Sequence, residues 1–298
     1  MKRILFVCLT WFSSTALFAQ DKPAYTRTED LVYGRKFGTA LTLDVFEPAK
    51  KNGAAVFWVV SGRYISSHES INPKLYQPLL DRGYTVFAVV HGAQPRFLLP
   101  EIIDDVNRAV RFVRHDARRW GVDPNKFGVS GSSAGGHLSL MIGTQGRPGG
   151  AEMKDPVDRE SSAVQAVACF YPPTDFLNFS KPDEFMWDHV SQPSPHTPAT
   201  SFSAEATTRE GQRAIGEKLS PIHYVTATMP PTLVIHGDSD RMVPLYQARR
   251  FEQKCREVGA SYRLVVKVGA DHGWPDMTPE VAKFADWFDE HLLGLKAK

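Results

Sequence analysis

Short apolar runs recur from residue 31 to residue 268, and their pattern changes along the way. LVYGRKF (31–37) and LTLDVFE (41–47) flank Gly38-Thr39, which predicts a β-hairpin. AAVFWVV (54–60), YTVFAVV (84–90), KFGVSG (126–131), AVQAVACF (163–170), TLVIHG (232–237) and RLVVKV (263–268) are instead short β-branched runs, of the kind buried on both faces of a parallel sheet. Between them the spacing becomes helical. The clearest case is 102–120, where Ile103, Val106, Val110, Val113, Ala117 and Trp120 mark one face. Eight strands, an antiparallel start and then strand-helix alternation predict one α/β domain with a mostly parallel sheet and helices on both faces.

Two stretches stand outside this pattern. Residues 1–20 open with Lys2 and Arg3, continue with an apolar run from Ile4 to Phe12 and end in small residues near Ala19, as an export signal does. The run is too short to span a bilayer comfortably. We expect a signal peptide over 1–19, a mature domain over 20–298 and a secreted or periplasmic location. Residues 176–217, rich in Pro and Ser and without clear periodicity, predict a cap or lid insertion. Phe179, Phe185, Met186 and Trp187 are expected to give it an apolar face.

Charge changes the picture only by exclusion. Without Lys2 and Arg3 the chain holds 33 basic and 33 acidic residues, so nothing asks for nucleic acid or an anionic membrane as partner. The mature part keeps only Cys169, in an apolar strand, and Cys255, on the Ala248, Phe251, Cys255, Val258 face of a helix; both are expected to be core thiols. No Cys/His cluster has metal-ligand spacing, and no metal or cofactor is proposed.

The chemistry concentrates in GVSGSSAGGH, residues 128–137, between a strand and a helix. In G-x-S-x-G the small flanking residues let the chain make a sharp elbow that lifts one hydroxyl clear of the sheet. Of Ser130, Ser132 and Ser133, only Ser133 has glycine two positions away on both sides, Gly131 and Gly135. A glycine-rich turn can also serve packing alone. A serine nucleophile needs a base and a carboxylate that orients the base, and loops after later strands offer both. His272 lies in a short loop, GADHGW, whereas His236 closes a strand and His291 falls in the terminal helix. The carboxylate is Asp238 or Asp240, either of which could instead cap the helix that begins near Pro244.

With GSSAGGH, HGDSDRMVP and GADHGW each after the expected strand, the chain resembles the α/β-hydrolase superfamily from about Leu31 to Leu293. Within it the resemblance is to carboxylesterase and lipase-like enzymes, feruloyl and acetyl xylan esterases among them, related to the catalytic domain of prolyl oligopeptidases. The resemblance implies Asp240 as the acid, and so a triad of Ser133, Asp240 and His272. It also implies an oxyanion hole of backbone N–H groups. Many relatives carry a His-Gly-Gly motif after the third strand; here that stretch reads SGRY, which leaves Gly62 or Arg63 to join Ala134 as donors. The expected function is secreted hydrolysis of a small-molecule or polysaccharide-linked ester, acetyl or feruloyl. A formamidase-like amidase and a non-catalytic binding module remain open beside it.

Overall fold

The computed structural model describes residues 25–189 and 204–296. The expected signal peptide lies outside these residues, as does the middle of the 176–217 insertion.

Eight strands form one sheet in the order β1-β2-β4-β3-β5-β6-β7-β8. They are β1 (Tyr25–Lys36), β2 (Thr39–Pro48), β3 (Ala55–Val60), β4 (Thr85–Val90), β5 (Phe127–Ser132), β6 (Ala166–Phe170), β7 (Thr232–Gly237) and β8 (Tyr262–Lys267). The first two pair as an antiparallel hairpin and β2 also meets β4 antiparallel; from β4 through β8 the pairing is parallel. The helices are α1 (Pro73–Leu80), α2 (Leu99–His115), α3 (Ala117–Trp120), α4 (Ala134–Gln145), α5 (Met186–His189), α6 (Arg209–Leu219), α7 (Tyr246–Val258) and α8 (Thr278–Leu293). This is the mostly parallel α/β arrangement that the strand pattern predicts, and the α/β-hydrolase fold that the resemblance implies.

Successive side chains of a strand point to opposite faces, and the two faces here have different cores. Ala55, Phe57 and Val59 of β3 pack with Val106 and Val110 of α2, Leu138 of α4 and Phe251 of α7. Val56, Trp58 and Val60, from the same strand, pack with Tyr76 and Leu79 of α1 and Phe284 and Phe288 of α8. A strand buried on both faces has no polar positions to place, which is why these runs are continuous.

Two boundaries and the burial of one strand differ from expectation. The hairpin begins six residues earlier than LVYGRKF, at Tyr25, because β1 follows β2 to Pro48. The helix over 102–120 is two: α2 starts at Leu99, where the Glu101 carboxylate accepts the Leu98 N–H at 2.7 Å, and Asp116 interrupts it with non-helical angles before α3. The last strand is not buried on both faces. It forms the sheet's edge, and Val266 and, just beyond it, Val268 are exposed.

Cys169 and Cys255 are both free and buried. Burial pushes the Cys255 thiol up to about 12, and raises Cys169 further. A thiolate-specific reagent such as DTNB should therefore react with neither thiol in the native protein, and with both in guanidinium. Prompt reaction without denaturant would mean that the cores open locally.

Candidate active site

β5 ends at Ser132 and α4 begins at Ala134, so Ser133 alone makes the turn. It does so at φ 55° and ψ −119°, a strained conformation for a residue with a side chain, which costs about 1–3 kcal/mol and needs support from its surroundings. The Ser133 N–H donates to the Phe170 carbonyl at 3.0 Å, and the Ser133 carbonyl accepts the His137 N–H at 2.9 Å. The flanking glycines follow from space. A Cβ at Gly131 would stand 2.6 Å from the backbone of Gly135, and one at Gly135 would stand 2.4 Å from the Val59 carbonyl oxygen.

The three serines have different surroundings. Ser130 is fully buried and its hydroxyl has no partner among the described residues. Ser132 lies beside the Tyr171 side chain, whose hydroxyl donates to Met277 Sδ at 3.6 Å. The Ser133 Oγ lies 2.8 Å from His272 Nε2.

On the other side of the imidazole, His272 Nδ1 is 2.8 Å from Asp240 Oδ2. The acid is held from behind, since Asp240 Oδ1 accepts the N–H groups of Met242 and Val243, both at 2.9 Å. His236 supplies a further contact. Its Nε2 is 2.8 Å from the Val243 carbonyl, which can only accept, so this nitrogen carries a proton; it also lies 3.4 Å from Asp240 Oδ2. Burial by itself would raise the Asp240 carboxyl, but the hydrogen bonds from His236, His272 and Val243 outweigh it and hold the group well below the usual carboxylate range. An ionised Asp240 only accepts, so the proton of His272 sits on Nδ1 and the Nε2 lone pair faces the serine.

Asp238 has a different role. Its Oδ1 accepts the Gly269 N–H at 2.7 Å and the Ser239 hydroxyl at 3.1 Å, tying the loop after β7 to the loop after β8. A second tie joins the same loops. Arg241 donates its backbone N–H (3.0 Å) and its guanidinium (2.9 and 2.6 Å) to Asp271, whose Oδ1 also accepts the His272 N–H at 2.8 Å. The Tyr171 ring packs on the imidazole with centroids 4.5 Å apart. Sequence reasoning did not find Tyr171, Asp271, or His236 in this supporting position. His236 alone left a signal, as the histidine that closes a strand four residues before Asp240.

The loop after β3 brings a correction. The Gly62 N–H donates to the Ile65 carbonyl at 3.0 Å and the Ile65 N–H returns to the Gly62 carbonyl at 2.9 Å, so Gly62 has no N–H to offer a substrate. Arg63 and Tyr64 make no such bond through their N–H groups among the described residues. Ala134 is the first residue of α4, where no preceding carbonyl of the helix reaches its N–H. The Arg63 side chain is exposed, with no ion pair among the described residues.

The described parts of the 176–217 insertion are anchored. Phe179, Phe185 and Met186 are buried within the protein, and Trp187 is half-buried. Phe176 stacks on His137 of α4, and the guanidinium of Arg209 lies 3.4 Å from the centre of the Phe185 ring. Gln247 of α7 accepts the Thr174 and Asp175 N–H groups and donates to the carbonyls of Asn178 and Phe179, while Arg250 pairs with the buried Asp175 at 2.8 Å.

Among the described residues, Glu29, Asp44 and His68 come close enough together to hold a cation. A guanidinium already occupies that position: Arg27 donates to Asp44 at 2.8 and 2.5 Å, pairs with Glu29 at 3.0 Å and lies 3.2 Å from His68.

The BD-FAE family profile matches residues 43–255, from β2 through α7. The chain belongs to the BD-FAE family. The matched segment contains the loop after β3, the Ser133 elbow and Asp240, and ends before His272. The chain is 28% identical over 208 residues to the esterase LipQ of Mycobacterium tuberculosis, covering 68% of this chain and 44% of that one. It is 24% identical over 250 residues to an acetylxylan esterase of Xylanibacter ruminicola, covering 83% and 44%. It thus spans about half the length of the relatives it matches. A truncated carbohydrate esterase from gut microbiota has the same fold, with a TM-score of 0.74 at 23% identity over 91% of this chain and 98% of that one.

Proposed function

We propose that this BD-FAE protein is a serine esterase. The observation that carries the proposal is the unbroken contact chain from Asp240 through His272 to Ser133, with 2.8 Å on each side of the imidazole. His272 Nε2 takes the hydroxyl proton as Ser133 Oγ attacks the ester carbonyl carbon, and the carbonyl oxygen becomes an oxyanion. The imidazolium returns the proton to the departing alkoxide, leaving an acyl-Ser133. Water then adds by the same route, its proton passing to His272 and on to Ser133, which releases the acid. Asp240 holds the tautomer and stabilises the imidazolium.

The resemblance to an acetylxylan esterase and a carbohydrate esterase supports a carbohydrate-linked ester, acetyl or feruloyl, as substrate. The pattern of residues 1–20 supports export, to the periplasm or beyond. The exposed cation of Arg63 favours esters that carry a uronate nearby. The test is a panel of 4-nitrophenyl acetate, acetylated xylan, a feruloylated arabinoside and a matched anilide. Release of acetate or ferulate well above anilide cleavage is the expected result. Faster cleavage of the anilide would make the protein an amidase, and no turnover together with no fluorophosphonate adduct would make it a binding module.

The pH dependence follows from Asp240. Its depressed pKa means that the carboxylate contributes to stability above the ordinary carboxylate range and loses that contribution only as pH falls far below it. Asp240 therefore stays charged across the working range, and its protonation should add nothing to the acid limb of kcat/KM. An acid limb steeper than one proton in a pH-rate series would contradict this.

A further inference from the structure

Taking the esterase proposal as its basis, we infer that Gln94 is the positioning residue that aims the oxyanion donors, and that Tyr64 supplies one of them beside Arg63 and Ala134. Gln94 lies in the loop after β4 and is buried. Its side-chain Nε2 donates to the Arg63 carbonyl, and its backbone N–H donates to the Tyr64 carbonyl at 3.2 Å. Two carbonyls of one short loop are thus held by one residue.

The grip has a directional consequence. In a trans peptide the C=O and the following N–H point to opposite sides. With the Arg63 carbonyl fixed on Gln94, the Tyr64 N–H is turned away from Gln94. With the Gly62 carbonyl fixed on the Ile65 N–H, the Arg63 N–H is turned out of that bridge. β3 lies between β4 and β5 in the sheet, so the loop leaving β3 has Gln94 on one flank and the Ser133 elbow on the other. The loop also rests on the elbow's helix: the Ser61 carbonyl accepts the Gly135 N–H at 3.3 Å, and the Tyr64 ring meets the His137 ring edge to face at 5.5 Å. Donors turned away from Gln94 therefore face Ser133 and the Ala134 N–H.

Backbone angles explain why a clamp is needed. Arg63 and Tyr64 sit consecutively at φ 51° and 61°, in the left-handed region that residues with side chains avoid. Without glycine's freedom at these positions, the peptide between them would relax once its carbonyl lost the Gln94 donor, and the Tyr64 N–H would swing with it.

The experiment uses the full-length protein with Gln94→Met, which keeps the length but donates nothing, and Gln94→Glu, which opposes a carboxylate to the carbonyl. Whichever variant keeps the wild-type circular dichroism and a cooperative melt is read. One oxyanion donor is worth about 10²–10³ in kcat, so a misaimed one should lower kcat by roughly 10- to 100-fold with KM changed less than about 3-fold. The distinguishing readout is a trifluoromethyl ketone, which forms a tetrahedral oxyanion on Ser133: its Ki should rise by the same factor as kcat falls. A folded variant with unchanged kcat and Ki, or one that changes KM alone, would overturn the inference while leaving the esterase proposal intact. A wild-type protein that neither hydrolyses esters nor binds the ketone would overturn both.

Discussion

Replacing Ser133 with alanine should lower kcat on 4-nitrophenyl acetate by about 10⁶-fold, the scale seen when the nucleophile of a serine hydrolase is removed. The substitution takes away only the Oγ that faces His272 Nε2 at 2.8 Å. Alanine adopts the Ser133 backbone angles about as readily as serine, and the bonds that hold the elbow, from the Ser133 N–H to Phe170 and from His137 to the Ser133 carbonyl, are backbone bonds that survive the change. The variant should therefore melt near the wild type, and the loss should be chemical. Fluorophosphonate labelling followed by peptide mass spectrometry gives an independent reading: the adduct should map to the peptide containing Ser133 and vanish in Ser133→Ala. Labelling that persists at full level would move the nucleophile to another residue, and Ser132, one position away, would be the first to examine.

The second large effect is expected at Asp240. In Asp240→Asn the amide oxygen can still accept the Met242 and Val243 N–H groups, so the loop after β7 keeps its shape. The amide nitrogen then faces His272 Nδ1 and donates to it, which moves the imidazole proton to Nε2, where it blocks acceptance from Ser133. A wrong tautomer in a site of otherwise intact geometry costs about 10⁴-fold in kcat. Asp238→Asn should cost less than roughly 10-fold, because its amide oxygen can still accept the Gly269 N–H and no contact with His272 is lost. The pair of variants is the informative measurement. Comparable losses at both positions would mean that the tie between the two loops matters as much as the acid itself, and a larger loss at Asp238 would reject Asp240 as the orienting carboxylate.

Much of this protein is legible in its sequence, and the legible part is the part written in local spacing. Continuous β-branched runs locate the parallel strands because a strand buried on both faces has no solvent side to mark with polar residues. The elbow is legible because close packing at Gly131 and Gly135 leaves no space for a Cβ, so the requirement is written as glycine at two fixed positions. His272 is legible through its place after the last strand. The tertiary structure decided the rest. Asp238 and Asp240 are separated by which residue of the loop after β8 each one meets: Gly269 for the first, His272 for the second. The Gly62 N–H is taken by Ile65, a bond set by left-handed angles at Arg63 and Tyr64 that neither residue type announces. The aromatic residues of the 176–217 insertion are legible as an apolar face, but the burial of Phe179 and Phe185 within the protein is not, because side-chain identity gives hydrophobicity but not the direction in which a loop turns it. Spacing along the chain fixes which face of an element a side chain takes, whereas the partners of loop backbone groups depend on where other loops arrive, and only the assembled sheet brings those loops together.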